Sequence, residues 1–119
     1  MTTGGKKKWM VADARFQSTR TGGEYLCFLN ANEEDAAVRM AFLFGEKKAP
    51  IEDVIVVVKA QTTRHLALDR SSELGGISLP EKTAFGIVLK SDIPIVVQHS
   101  RLVSIGDQEV LLSSQPYSE

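Results

Sequence analysis

Seven short runs rich in β-branched, aromatic and other apolar residues punctuate this sequence, and their spacing leaves little room for anything but stacked antiparallel strands. They are Trp9 to Ala12, Tyr25 to Leu29, Val38 to Phe44, Val54 to Val58, Thr63 to Leu68, Ala84 to Leu89 and Pro94 to Val103. Turn formers separate them at Gly22-Gly23, Asn30 to Asp35, Gly45 to Pro50, Gly75-Gly76, Ser91 to Pro94 and Gly106-Asp107. Residues of this kind pack well on a pleated surface, and runs so short predict an all-β chain. The expected architecture is an antiparallel β-sandwich, jelly-roll-like, with about seven to eight short strands.

Periodicity refines the pattern. The segment Asp35 to Phe44 has some helical character in Ala36, Ala37, Met40 and Ala41. The strand reading is preferred, because Val38, Met40, Phe42 and Phe44 then share one face against Arg39 and Ala41 on the other. Val54 to Val58 is apolar on both faces, which calls for cover from two sides, inside the sandwich or by a partner subunit. In the last run Ile95, Val97, His99, Arg101 and Val103 share one face, with Val96, Gln98, Ser100 and Leu102 opposite. Residues 69–82, with their serines, Gly75, Gly76 and Pro80, read as a long surface loop of the kind used for binding or as a lid.

A chain of 119 residues with 43% hydrophobic content is expected to form one domain, residues 9–119, behind a flexible N-terminal tail at residues 1–8. Its lone cysteine, Cys27, has no internal partner and reads as a small buried hydrophobe. No apolar stretch suits a transmembrane helix or a signal peptide, so a cytoplasmic location is expected. A formal net charge of −1 argues against nucleic-acid binding, which relies on a clustered basic face.

Reactive constellations are scarce. His65 and His99 lie far apart in sequence and, with Cys27, fall short of a metal set. His99 and Ser100 are strand neighbours that point to opposite faces, and no Gly-x-Ser-x-Gly elbow is present. The stretch Asn30 to Asp35 lacks the glycine and terminal carboxylate of a calcium loop, and neither Gly-Gly pair opens a phosphate loop. The chain is therefore expected to be no enzyme and to carry no cofactor. Glu24 and Asn30 share strand parity with Leu26 and Phe28, so each is either a surface residue or a polar group on the core face.

The string Ser91-Asp92-Ile93-Pro94-Ile95-Val96-Val97-Gln98-His99-Ser100-Arg101-Leu102, with Leu111-Leu112-Ser113-Ser114 and Tyr117 behind it, resembles the sensory rhodopsin transducer family. So do Trp9 to Asp13, Cys27 to Ala31, Glu33 to Ala36, and Arg64-His65. The resemblance implies a small cytosolic β-sandwich that assembles as a homotetramer. It also implies that relatives without a rhodopsin sense small molecules, carbohydrates or their derivatives. Carried over by position, the ligand-binding set is Trp9, Asp13, Glu24, Asn30, Arg64, His65, Gln98, His99 and Arg101. Amides, a guanidinium, carboxylates and an indole face suit a polyhydroxylated ligand. His99 and Arg101, on one strand face, form the strongest pair. The chain departs from the family where a Glu-Gly-Tyr step is replaced by Asp13-Ala14-Arg15, and where paired arginines give way to Gln61-Thr62.

The leading expectation is a non-enzymatic module that binds a small polar ligand, a sugar or sugar derivative. The alternative is a soluble transducer whose partner is a membrane photoreceptor. DNA-binding control ranks third.

Overall fold

The computed structural model describes residues 5–15, 22–46 and 48–119. Its eight strands are β1 (Lys6–Ala14), β2 (Gly22–Asn30), β3 (Ala36–Leu43), β4 (Ile51–Val58), β5 (Thr62–Ala67), β6 (Phe85–Ile105), β7 (Gln108–Ser114) and β8 (Tyr117–Ser118). All pair antiparallel, and the front sheet runs β4-β3-β6-β1-β8. The back sheet runs β5-β2-β6-β7. The expected all-β sandwich is the observed one.

One strand belongs to both sheets. Up to Ser91, β6 pairs with β3 and β1; from Val96 it pairs with β2 and then β7. The turn expected at Ser91 to Pro94 is instead the corner where a single 21-residue strand changes sheets. Strands that switch sheets do so through bends and bulges. Here Lys6 pairs with Ile95 and Lys8 with Lys90, so Lys7 alone faces residues 91–94. Pro94, which has no amide proton, falls in this unpaired stretch, where its absence costs no ladder bond. The Asp92 carboxylate accepts from the Ala37 amide at 2.8 Å, and Asn32 Nδ2 donates to the Pro94 carbonyl at 2.6 Å.

Alternation places the core. Ala36, Val38, Met40 and Phe42 of β3 are buried, as the period-two reading predicts. They meet Trp9, Val11, Leu26, Phe28, Ile87, Leu89, Ile95 and Val97 from the neighbouring strands in one cluster. Phe42 packs edge-on against Phe85 with ring centroids 6.0 Å apart. In β4, Val54, Val56 and Val58 face inward, whereas Ile55 and Val57 are 56% and 41% exposed. The sandwich therefore covers only one face of this strand.

Three further expectations are corrected. Strand β1 starts at Lys6, because β6 supplies ladder partners to Lys6 and Lys8; of the expected tail, residues 1–4 lie outside the described residues. Gly22 and Gly23 are strand residues paired with Val103 and Leu102 rather than a turn. The segment 69–82 is pinned down by Leu74 and Leu79, both buried, and holds a 3-10 turn at Ser71–Leu74. Gly75, with φ of 66°, lets the chain leave that turn in the left-handed region open to glycine. Anchored in this way, the segment is no free lid.

Candidate functional site

Where the apolar core thins out toward one end of the sandwich, three polar residues occupy the inward face of the back sheet. Glu24 on β2 is the ladder partner of Arg101 on β6, and His99 sits two residues back on the same face. Glu24 is fully buried. Its carboxylate accepts from His99 Nε2 at 2.6 Å, from Arg101 Nε at 2.8 Å and Nη2 at 3.2 Å, and from the Arg15 amide at 3.0 Å. Burial on its own raises this carboxyl's pKa; the hydrogen bonds from His99, Arg101 and Arg15 outweigh it and hold the value below the ordinary one. The hydrogen bonds that Arg101 donates to Glu24 push its own value the other way, above the usual guanidinium value, with the charges of Glu24 and Asp13 adding to the effect. Since an ionised carboxylate only accepts, His99 Nε2 is the donor of its pair.

His99 also lines a cleft of about 330 Å³, together with Met10 to Asp13 of β1 and Ser114 to Tyr117. This is where the chain leaves β7 in the back sheet and passes through Gln115-Pro116 to β8 in the front sheet. A buried ionic network thus fixes a histidine that borders a small open cavity. The arrangement suits hydrogen bonding to a polar ligand held against the Tyr117 ring and the apolar side chains of Val11 and Pro116.

The nine residues singled out from sequence divide by position. Glu24, His99 and Arg101 converge, and Asp13 lines the same cleft as His99. Trp9 does not join them: its indole is 2% exposed in the core, with Nε1 donating to the Lys6 carbonyl at 3.0 Å, so it offers no ring face to a ligand. Asn30 is buried too, but organises a turn. Its Nδ2 donates to the carbonyls of Glu34 and Val58 at 2.9 and 3.0 Å, and its Oδ1 accepts from the Asn32 amide at 3.0 Å. Arg64 straps the sheets together by donating from Nη1 to the Val57 carbonyl at 2.7 Å. Gln98 and exposed His65 lie on the outer face of the back sheet, as ladder partners of Cys27 from either side. Cys27 itself is half-buried there, with its thiol 3.9 Å from Ser100 Oγ.

Sequence reasoning missed three contributors. Arg15 delivers its amide to Glu24 and anchors its guanidinium on the Lys82 carbonyl at 3.0 Å. Its only signal was the departure from the family step at that position. Ser114 and Tyr117 wall the cleft, which no local pattern reveals, because the wall depends on β8 returning to β1. Among the described residues, no three His, Cys, Asp or Glu side chains gather to hold a metal ion.

A small antiparallel sandwich with a Glu-His-Arg network beside a cleft defines a class of β-sandwich module with a polar site built into one sheet. Residues 4–118 match the family model described as Anabaena sensory rhodopsin transducer, and the chain belongs to that family. The crystal structure of Thermotoga maritima 1070 is similar, with a TM-score of 0.81 and 27% identity over 98% of this chain and 97% of that one. The Anabaena sensory rhodopsin transducer is similar with a TM-score of 0.72 and 30% identity, over 83% of this chain and 99% of that one. No curated protein sequence matches the chain.

Proposed function

We propose that this protein is a non-enzymatic sensing module that binds a small polyhydroxylated molecule, a sugar or sugar derivative, in the cleft beside His99. The observation that carries the reading is the fully buried Glu24, which fixes His99 at the border of that cleft while Arg101 balances its charge. A buried ionic network is no gain in stability over apolar packing of the same volume, so its presence beside a cavity is better understood as positioning. The response to ligand would pass between copies of the chain. Supporting assembly, β7 pairs only with β6 among the described residues and exposes Leu111 and Leu112, at 63% and 54%, on its two faces. An open edge strand with apolar faces is a template for pairing with a second copy, and a homotetramer is the proposed state.

Thermal denaturation across a panel of sugars and polyols tests the reading. A ligand at about ten times its Kd stabilises by roughly 1.4 kcal/mol, which raises Tm by roughly 5 °C. At least one compound is expected to do so, and His99→Asn and Tyr117→Ala are expected to remove the effect. If no compound at millimolar concentration shifts Tm, the second reading takes precedence. In that reading the chain relays a signal from a membrane photoreceptor without a small ligand, as the name of the Anabaena relative suggests.

A further inference from the structure

A second cleft, of about 380 Å³, lies on the outer face of the front sheet and shares no lining residue with the one beside His99. Its volume falls in the range of roughly 300–1,000 Å³ usual for small-molecule sites. A β-bulge builds it. Met40 pairs with Val54 and Phe42 with Ile51, so Ala41 alone stands against Glu52 and Asp53. Asp53 takes a φ of 59°, in the left-handed region. Regular alternation would send two consecutive side chains to opposite faces; across the bulge, Glu52 and Asp53 both line the cleft. Ala41 and its ladder partner Val88 give the cleft an apolar lining, and Arg39 and Lys90 bring cations to it.

These charges are unevenly satisfied. Arg39 Nε lies 3.7 Å from Asp53 Oδ1. Lys90 stands between Arg39 and Lys8 in one ladder row, and Lys8 has Glu119 at 3.2 Å. Among the described residues, Lys90 and Glu52 make no hydrogen bond or ion pair, with each other or with any other group. Asp92, which borders Lys90 from the neighbouring cleft, spends its carboxylate on the Ala37 amide. One cation flanked by like charges, one carboxylate without a partner and an apolar lining thus share a single cleft, and together they suit a molecule that carries both signs of charge on an aliphatic body.

We propose that this cleft binds a small zwitterion, an α-amino acid with an aliphatic side chain, its carboxylate on Lys90, its ammonium group on Glu52 and its side chain against Ala41 and Val88. The site is independent of the sugar-binding reading. A plain anion would meet Glu52 and Asp53 unfavourably, and a plain cation would meet Arg39 and Lys90 in the same way.

Leucine, isocaproate and isoamylamine share one isobutyl tail and carry both charges, the carboxylate alone or the ammonium alone, so NMR titration of the full chain at neutral pH separates them. Leucine is expected to bind about threefold or more tighter than either, the size of effect that one exposed ion pair gives. Its amide shifts are expected to centre on Arg39, Ala41, Asp53 and Val88. Lys90→Gln is expected to lower leucine affinity to that of the amine, and Glu52→Gln to that of the acid, with the circular dichroism unchanged because both side chains are exposed. Equal affinities for the three compounds, or leucine affinity unaltered in both variants, would overturn the proposal. So would the absence of any saturable shift on this face at leucine concentrations on the order of 50 mM. None of these results bears on the cleft beside His99, which the sugar and polyol panel tests separately.

Discussion

Glu24 concentrates the chemistry of this molecule in one side chain. A buried carboxylate is tolerable only when charge and hydrogen bonds replace its lost water, and His99, Arg101 and the Arg15 amide supply both. Its folded pKa lies below the unfolded one. Its stabilising contribution is therefore complete above the ordinary carboxylate pKa, and it drains away as pH falls through the depressed folded value. Glu24→Gln should cost roughly 3 kcal/mol at neutral pH, because it removes the negative charge facing half-buried Arg101 and replaces one of the two accepting oxygens with an amide that donates. Urea denaturation at a series of pH values should show a wild-type loss of stability below about pH 4.5 that is much reduced in the variant. Equal acid slopes in the two proteins would contradict the network. Part of this was legible in the sequence: strand parity put Glu24 beside Leu26 and Phe28, and His99 beside Arg101. Parity does not say which face is buried, so it left Glu24 and Asn30 open, and it gave no warning that Trp9 is core.

Alternation within single runs made the strands readable, and β3 is the clearest case. Its inward Phe42 is fully buried, whereas outward Leu43, one residue on, is 43% exposed. Phe42→Ala should destabilise by about 3–5 kcal/mol, and Leu43→Ala by about 0.5 kcal/mol or less, in equilibrium unfolding. Comparable losses for both would mean that the face assignment fails. What the sequence concealed was the union of two runs into β6. Serine, aspartate and proline in a row carry the local chemistry of a turn, yet here the same residues bend a strand between sheets. The choice is made by distant partners: β1 and β3 hold one half of β6, and β2 and β7 hold the other. Gly5 marks the same corner from the opposite side. Its φ is 118°, and a Cβ there would run into the Ile95 carbonyl, so the entry to β1 is fitted to the bend.

At the scale of the whole molecule, the sandwich buries one face of each sheet and leaves the outer faces unequal. The front sheet carries Arg39, Lys90 and Lys8 in one ladder row, where like charges stand side by side. Asp53 lies 3.7 Å from Arg39 and Glu119 lies 3.2 Å from Lys8, so among the described residues of that row only Lys90 lacks an ion pair. Exposed apolar side chains adjoin that row, where Ile55 of β4 is the ladder partner of Arg39, and others stand at Val57 of β4 and on the β7 arm. If copies join through β7, Leu111→Lys combined with Leu112→Lys should turn a tetramer into a monomer in light scattering without altering the circular dichroism of the fold. A tetramer that survives both changes would move the interface to β4.

Entry of a small polar ligand into the cleft beside His99 is tested directly by backbone amide NMR during titration with whichever sugar or polyol shifts Tm most. Shift changes are expected to concentrate at Val11, Asp13, His99, Ser114 and Tyr117, all of which line the cleft. Changes centred instead on Cys27, His65 and Gln98, across the outer face of the back sheet, would contradict it.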